Sequence, residues 1–137
     1  MAGSWRHFPH GADIGIEGAG TTKSEAFRQA ALALTAVVTN APVERRERVD
    51  LTCAAPDDEL LLVEWLNAVV YEMATRGMLF GDFEVQVTDG RVTAAAYGEP
   101  VDPVRHEPAV EVKGATCTAL SVKREDALWH ARCVVDV

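Results

Sequence analysis

The chain has 137 residues, 48% of them hydrophobic and 25% charged, and its 13 Lys+Arg against 21 Asp+Glu leave a formal net charge of −8. A chain of this length buries about two-thirds of the surface its unfolded form exposes, so a core can form without metal or disulfide staples and we expect a single domain over 1–137. The acidic balance argues against tight direct binding to RNA or DNA, whose affinity comes largely from Lys and Arg displacing counterions.

Met1 to His10 carries no apolar signal-like stretch, and nowhere does an apolar run approach the roughly 18 residues that span a bilayer, so no targeting or membrane segment is expected. Short strands are predicted at Trp5 to Phe8 and Ile14 to Glu17. Phe27, Ala30, Ala31, Leu34 and Val38 then recur at spacings of three and four, with Lys23, Arg28 and Gln29 on the other side. That is helical periodicity. Thr22 with Glu25 forms a capping box at its start, and Asn40 and Pro42 end it. The mixed run Glu44-Arg45-Arg46-Glu47-Arg48 reads as a solvated loop before a strand at Arg48 to Cys53.

A second helix runs from Leu60 to the stop at Gly77, with the carboxylates of Asp57, Asp58 and Glu59 at its positive end. Leu60 to Val63 with Trp65 and Leu66 make its start apolar nearly all round, which predicts deep burial against a sheet. Phe83, Val85 and Val87, then Val92, Ala94 and Ala96, alternate on either side of Asp89-Gly90, a two-residue hairpin signal. Further strands are expected at Val110 to Ala115, Ala119 to Lys123, and a half-buried final one with Trp129, Ala131, Cys133 and Val135 on its inner side. The predicted class is α+β: two layers, a largely antiparallel sheet with two helices packed on one face. Cys53, Cys117 and Cys133 form no C-x-x-C pair, fit neither a disulfide framework nor a thiolate zinc site, and suit a reducing, cytoplasmic setting.

No phosphate loop, Gly-x-Ser-x-Gly elbow or dinucleotide fingerprint occurs. Three polar clusters are left. In His7-Phe8-Pro9-His10-Gly11-Ala12-Asp13, His7 and His10 have the residue types to ligate zinc with a third partner, although isolated loop histidines are more often solvated or hydrogen-bonded. Asp13 is either a metal ligand or a turn-former, and spacing alone favours the turn. At the chain end, Asp136 and the terminal carboxylate of Val137 bring like-charged oxygens together. Calcium or magnesium would suit such donors, a fraying solvated end being the alternative. In Gly98-Glu99-Pro100-Val101-Asp102-Pro103-Val104-Arg105-His106-Glu107, Asp102 and His106 form a candidate acid/base pair. Pro103 argues against the helical turn that would join them, and a surface loop is the expectation. Lys113 would balance a carboxylate cluster if it lay beside one.

Taken together, His10-x-Ala12-Asp13-Ile14-Gly15, the Glu25-Ala26-Phe27 helix start, Leu61-Leu62-Val63-Glu64-Trp65-Leu66-Asn67, Gly98-Glu99-Pro100-x-Asp102-Pro103-x-x-His106, Glu111-Val112-Lys113-x-x-Thr116 and Asp136-Val137 resemble the archease family over essentially the whole chain. The resemblance implies a protein cofactor, not an independent enzyme. Its partner would be the GTP-dependent RNA ligase that seals 3′-phosphate or cyclic-phosphate ends to 5′-hydroxyls in tRNA splicing and RNA repair. The cofactor would promote guanylylation of the ligase's active-site histidine and multiple turnover. The resemblance puts a metal site for calcium or another hard cation (magnesium or manganese) on Asp13, Asp136 and Val137. It puts ligase activation on Asp13, Lys113 and Asp136, with His10, Asp102 and His106 as a supporting loop. Two positions depart from the family pattern: Gly11 where Thr is common, and Cys117-Thr118 where Tyr-His is common. Gly11 would loosen the loop that holds Asp13. A small metal-dependent hydrolase and a chaperone-like interaction protein are the alternative readings.

Overall fold

The computed structural model describes residues 3–137, so Met1 and Ala2 of the expected domain lie outside the described residues. A hairpin of β1 (Gly3–His10) and β2 (Asp13–Gly20) leads into α1 (Lys23–Val38), followed by β3 (Glu47–Ala54) and α2 (Asp58–Arg76). Next come β4 (Met78–Thr88), β5 (Arg91–Pro100) and the short α3 (Pro103–His106), and the chain closes with β6 (Gly114–Ala115), β7 (Ser121–Glu125) and β8 (Leu128–Asp136).

Local signals set the helix ends. Thr22 Oγ1 accepts the Glu25 N–H at 3.0 Å, but the Glu25 carboxylate turns to Arg28 and Gln29, leaving the capping box with one arm. Asp57 Oδ1 accepts the Leu60 N–H at 2.8 Å, which starts α2 at Asp58, two residues before the predicted Leu60. Gly77 ends it in the left-handed region, φ 63°, where a residue without Cβ carries no steric cost. Asp89 and Gly90, with φ of 50° and 74°, make the predicted turn between β4 and β5.

Every strand pair is antiparallel, as the α+β class requires, but the strands divide into two sheets instead of the one expected. Sheet A has the order β1-β2-β8-β6, with β7 also on β8, and sheet B the order β3-β5-β4. Alternation in sequence assigns side chains to faces and says nothing of which strands pair, so the division was not legible there. Both helices touch strands of both sheets. Between them lies one cluster in which Phe27, Trp65, Phe80 and Phe83 are buried, with Trp65 donating its indole N–H to the Phe27 carbonyl at 3.0 Å. Sheet A comes close enough to α1 that a methyl on Gly18 would stand 2.3 Å from the Ala26 oxygen and the Ala30 nitrogen.

α1 also lies along the edge of β4 that has no strand partner among the described residues. Ser24 Oγ accepts the Val87 N–H at 2.9 Å, Arg28 Nε donates to the Phe83 carbonyl at 2.9 Å, and Thr35 Oγ1 donates to the Phe80 carbonyl at 2.7 Å. Side chains of a helix thus occupy backbone groups that another strand would otherwise take.

Candidate functional site

The strand registers bring the Asp13, Asp136 and Lys113 positions to one corner of sheet A. β2 and β8 pair out to Ile14 with Val135, both packed into the core, so Asp13 and Asp136, one residue further on, turn to the opposite, helix-free face. On one side His10 stands across from Asp13 in the β1–β2 hairpin, and on the other Gly114 stands across from Asp136. The Lys113 N–H donates to the Asp136 carbonyl at 2.7 Å, and the Val137 N–H lies 3.5 Å from Asp13 Oδ1. Asp136 and Lys113 are exposed and Asp13 half-buried. The Lys113 ammonium forms no ion pair among the described residues, so its charge is open to a partner.

Gly11 takes φ 58° in the two-residue turn between β1 and β2. The expected loosening therefore gives way to a fit: this turn needs a left-handed residue, and glycine adopts that conformation without strain. His7 and His10 cannot share a metal, because residues three apart on a strand face opposite ways. His7 Nε2 instead lies 2.8 Å from the Ala33 carbonyl on the α1 side. Among the described residues no group of three or more His, Cys, Asp or Glu side chains is arranged to hold a metal ion. Two carboxylates are the side-chain donors at this corner. All-oxygen donors of this kind match a hard cation in chemistry, with the remaining oxygens coming from main chain, water or a partner.

The loop after β5 differs from expectation. Pro103 does not prevent a helical turn; it begins α3, where a proline's missing N–H costs no hydrogen bond. Asp102 caps that turn, its carboxylate accepting from the Val104 and Arg105 N–H groups, so it is not paired with the imidazole as an acid/base couple. Nor is His106 on the surface: it is 1% exposed. The Asp102 N–H donates to its Nδ1 at 2.8 Å, which fixes the ring proton on Nε2, 3.1 Å from Glu99 Oε2. Glu99, 0% exposed, also takes the Arg105 guanidinium and, at 2.7 Å, the Glu44 N–H. Arg105 first, then the Glu44 N–H, hold its carboxyl down at about 2, with His106 adding to the effect. The Glu44 end of the predicted solvated run is thereby tied to a buried acid. Asp102 and His106 do not join the Asp13–Asp136 corner directly.

Asn67 has no assigned role in the sequence motif that contains it, yet its Oδ1 accepts the Ala115 N–H at 2.8 Å beside the Lys113 corner. A polar residue at the inner end of a mostly apolar helix face was the available signal. Alongside Lys113 runs a cavity of about 460 Å³ whose walls include Val70, Met73, Met78 and Val101, with Glu111 and Lys113 its only charged lining. Burial pushes the Cys133 thiol up to about 12 and raises that of Cys53, so neither is an activated nucleophile.

The archease protein family model matches residues 5–137. An archease from Pyrococcus furiosus is 40% identical over 97% of this chain and 98% of its own length, and one from Methanopyrus kandleri is 36% identical over 97% and 99%. The solution structure of Methanobacterium thermoautotrophicum protein 1598 superposes with a TM-score of 0.85 at 31% identity, covering 98% of this chain and 99% of that one. The crystal structure of a Thermotoga maritima archease, described as a possible chaperone, shares the fold at 15% identity with a TM-score of 0.63 over 95% and 94% of the chains. The match over nearly the whole length establishes that the chain belongs to the archease family.

Proposed function

We propose that this chain is a non-catalytic activator of a GTP-dependent RNA ligase of tRNA splicing and RNA repair, acting through Asp13, Lys113 and Asp136. The observation that carries the reading is the convergence of these three positions, which are 100 and 23 residues apart in sequence, at one exposed corner through backbone pairing. An activator has to present its groups to another protein's active site, and an exposed corner with an unpaired ammonium does that. Asp13 and Asp136, with a main-chain or terminal oxygen of Val137, would hold a hard cation such as calcium, magnesium or manganese, the partner completing the coordination. When bound, such a cation supplies positive charge near the phosphates of the nucleotide. Lys113 would add a second positive charge, and the two carboxylates would orient the corner on the ligase's metal-bearing site. The Lys113 ammonium would favour attack of the ligase histidine on the GTP α-phosphate by stabilising the negative charge that develops there. The net charge of −8 would draw the protein toward a basic RNA-binding cleft.

A hydrolase reading is weaker, because the cavity beside Lys113 is apolar-walled and excludes both aspartates from its lining. The deciding assay is guanylylation and multiple-turnover ligation by limiting cognate ligase with GTP and manganese. Wild-type protein should stimulate both reactions, and Asp136→Ala or Lys113→Ala should lower stimulation by tenfold or more, about 1.4 kcal/mol, without loss of fold by circular dichroism. Turnover of a phosphoester by the isolated protein, or equal stimulation by the variants, would refute this assignment.

A further inference from the structure

Lys113 lies in a segment with little structure of its own. Between α3 and the two-residue β6, residues 107–113 form neither helix nor strand, and Glu107, Pro108, Ala109, Val110, Glu111 and Lys113 are all exposed. A seven-residue stretch can span about 23 Å when extended, so its sequence alone leaves the lysine poorly placed. The strand predicted from Val110 to Ala115 is cut down to Gly114 and Ala115, the two of these residues that pair with β8. Whatever fixes Lys113 must act at the ends of this segment.

Polar anchors are found at both ends. Upstream, His106 is locked by Glu99 through Nε2 and by the Asp102 N–H through Nδ1, while its carbonyl accepts the Thr39 hydroxyl. Downstream, β6 is held from two sides: on one the Lys113 N–H bonds the Asp136 carbonyl, and on the other Asn67 Oδ1 of α2 accepts the Ala115 N–H at 2.8 Å. In between, the Glu107 N–H donates to the Pro103 carbonyl at 3.2 Å, the Ala109 N–H to the Val38 carbonyl at 2.7 Å, and Val112 is buried. Neither Asn67 nor Glu99 touches the corner where Asp13 and Asp136 meet, yet both are spent on the short stretch that carries the lysine.

We infer that Asn67 and the buried Glu99–His106 pair are positioning residues for Lys113, holding the 107–115 segment at its two ends so that the Lys113 backbone stays bonded to that of Asp136. The function of that placement rests on the proposed role of Lys113; the placement itself does not. Without Asn67, one side of β6 loses the polar hold it has among the described residues, and the Lys113 N–H···O bond to Asp136 opens more often. Without the Glu99 charge, the Arg105 and His106 contacts weaken and α3 releases the upstream end. An Asn67→Asp variant keeps an oxygen that accepts from Ala115, so it should retain the hold that Asn67→Ala loses.

The test is residue-resolved amide hydrogen exchange on the isolated full chain, with ligase stimulation measured in parallel. In Asn67→Ala and Glu99→Gln the Lys113 amide should exchange about tenfold faster or more, while amides at the centre of the β2–β8 pairing keep their relative protection. Asn67→Asp should restore wild-type exchange at Lys113. A Val49→Ala core variant serves as the control for general destabilisation and should not single out Lys113. Stimulation should fall in Asn67→Ala, and Lys113→Ala added to it should cause little further loss, since both act on one group. Unchanged exchange at Lys113 in both anchor variants, or an equal rise throughout the sheet, would overturn the inference. Because exchange is read on the protein alone, absence of any ligase stimulation would count against the proposed function and leave this result standing.

Discussion

Glu99 shows how a single side chain escapes sequence reading. In the sequence it is one acid among 21 in a proline-rich loop; in the fold it is wholly buried, with Arg105, His106 and the Glu44 N–H around it. Those partners lie as far as 55 residues away, and no local pattern announces them. The consequence for stability has a definite sign. A carboxyl held at about 2, against its ordinary 4.5, contributes stability that is present above 4.5 and is lost as pH falls through the interval toward 2. The Tm difference between wild type and Glu99→Gln should be constant from neutral pH to about 5 and shrink as the pH is lowered further; a constant difference down to pH 2 would contradict the assigned state. Asp13 and Asp136, by contrast, are expected together from the family resemblance though not from their spacing, and the β2–β8 register is what makes them neighbours.

At the level of elements, sequence signals located what local chemistry decides. Thr22, Asp57 and Gly77 bound the helices, and Asp89-Gly90 turns β4 into β5. The failures come where tertiary context overrides a local rule. Pro103 was read as a helix breaker and is a helix starter, because the effect of proline depends on its position in the turn. The start of β4 was missed because Met78, Leu79 and Phe80 are all buried, which erases the alternation that marked Phe83 to Val87. The caps give a quantitative check: Asp57→Ala and Gly77→Ala should each cost about 1 kcal/mol in urea denaturation, the first through a lost hydrogen bond and the second through a Cβ at positive φ. A cost near zero for either would show that α2 is fixed by its burial and not by its ends.

On the scale of the molecule, two sheets share two helices, and Trp65 stands where they meet. Its ring packs edge-on against Phe83 of sheet B at 5.8 Å between centroids, while its N–H is tied to α1. Trp65→Ala should therefore destabilise by about 3–5 kcal/mol in a single cooperative transition seen alike by far-ultraviolet circular dichroism and by exchange of amides in both sheets. Two separate transitions would mean that the sheets fold independently. None of the helices among the described residues is long and apolar enough to cross a membrane.

The helix laid along β4 has a consequence for encounters between molecules. With Ser24, Arg28 and Thr35 already bonded to its backbone, that side of sheet B is shut to a foreign strand. Among the described residues the outer side of β3 has no strand partner, and a chain adding to this sheet would have to seat itself there, against the exposed Glu47, Arg48 and Asp50. Charges on that border act as gatekeepers: neutralising them would open a route to self-templated stacking that α1 closes on the opposite side.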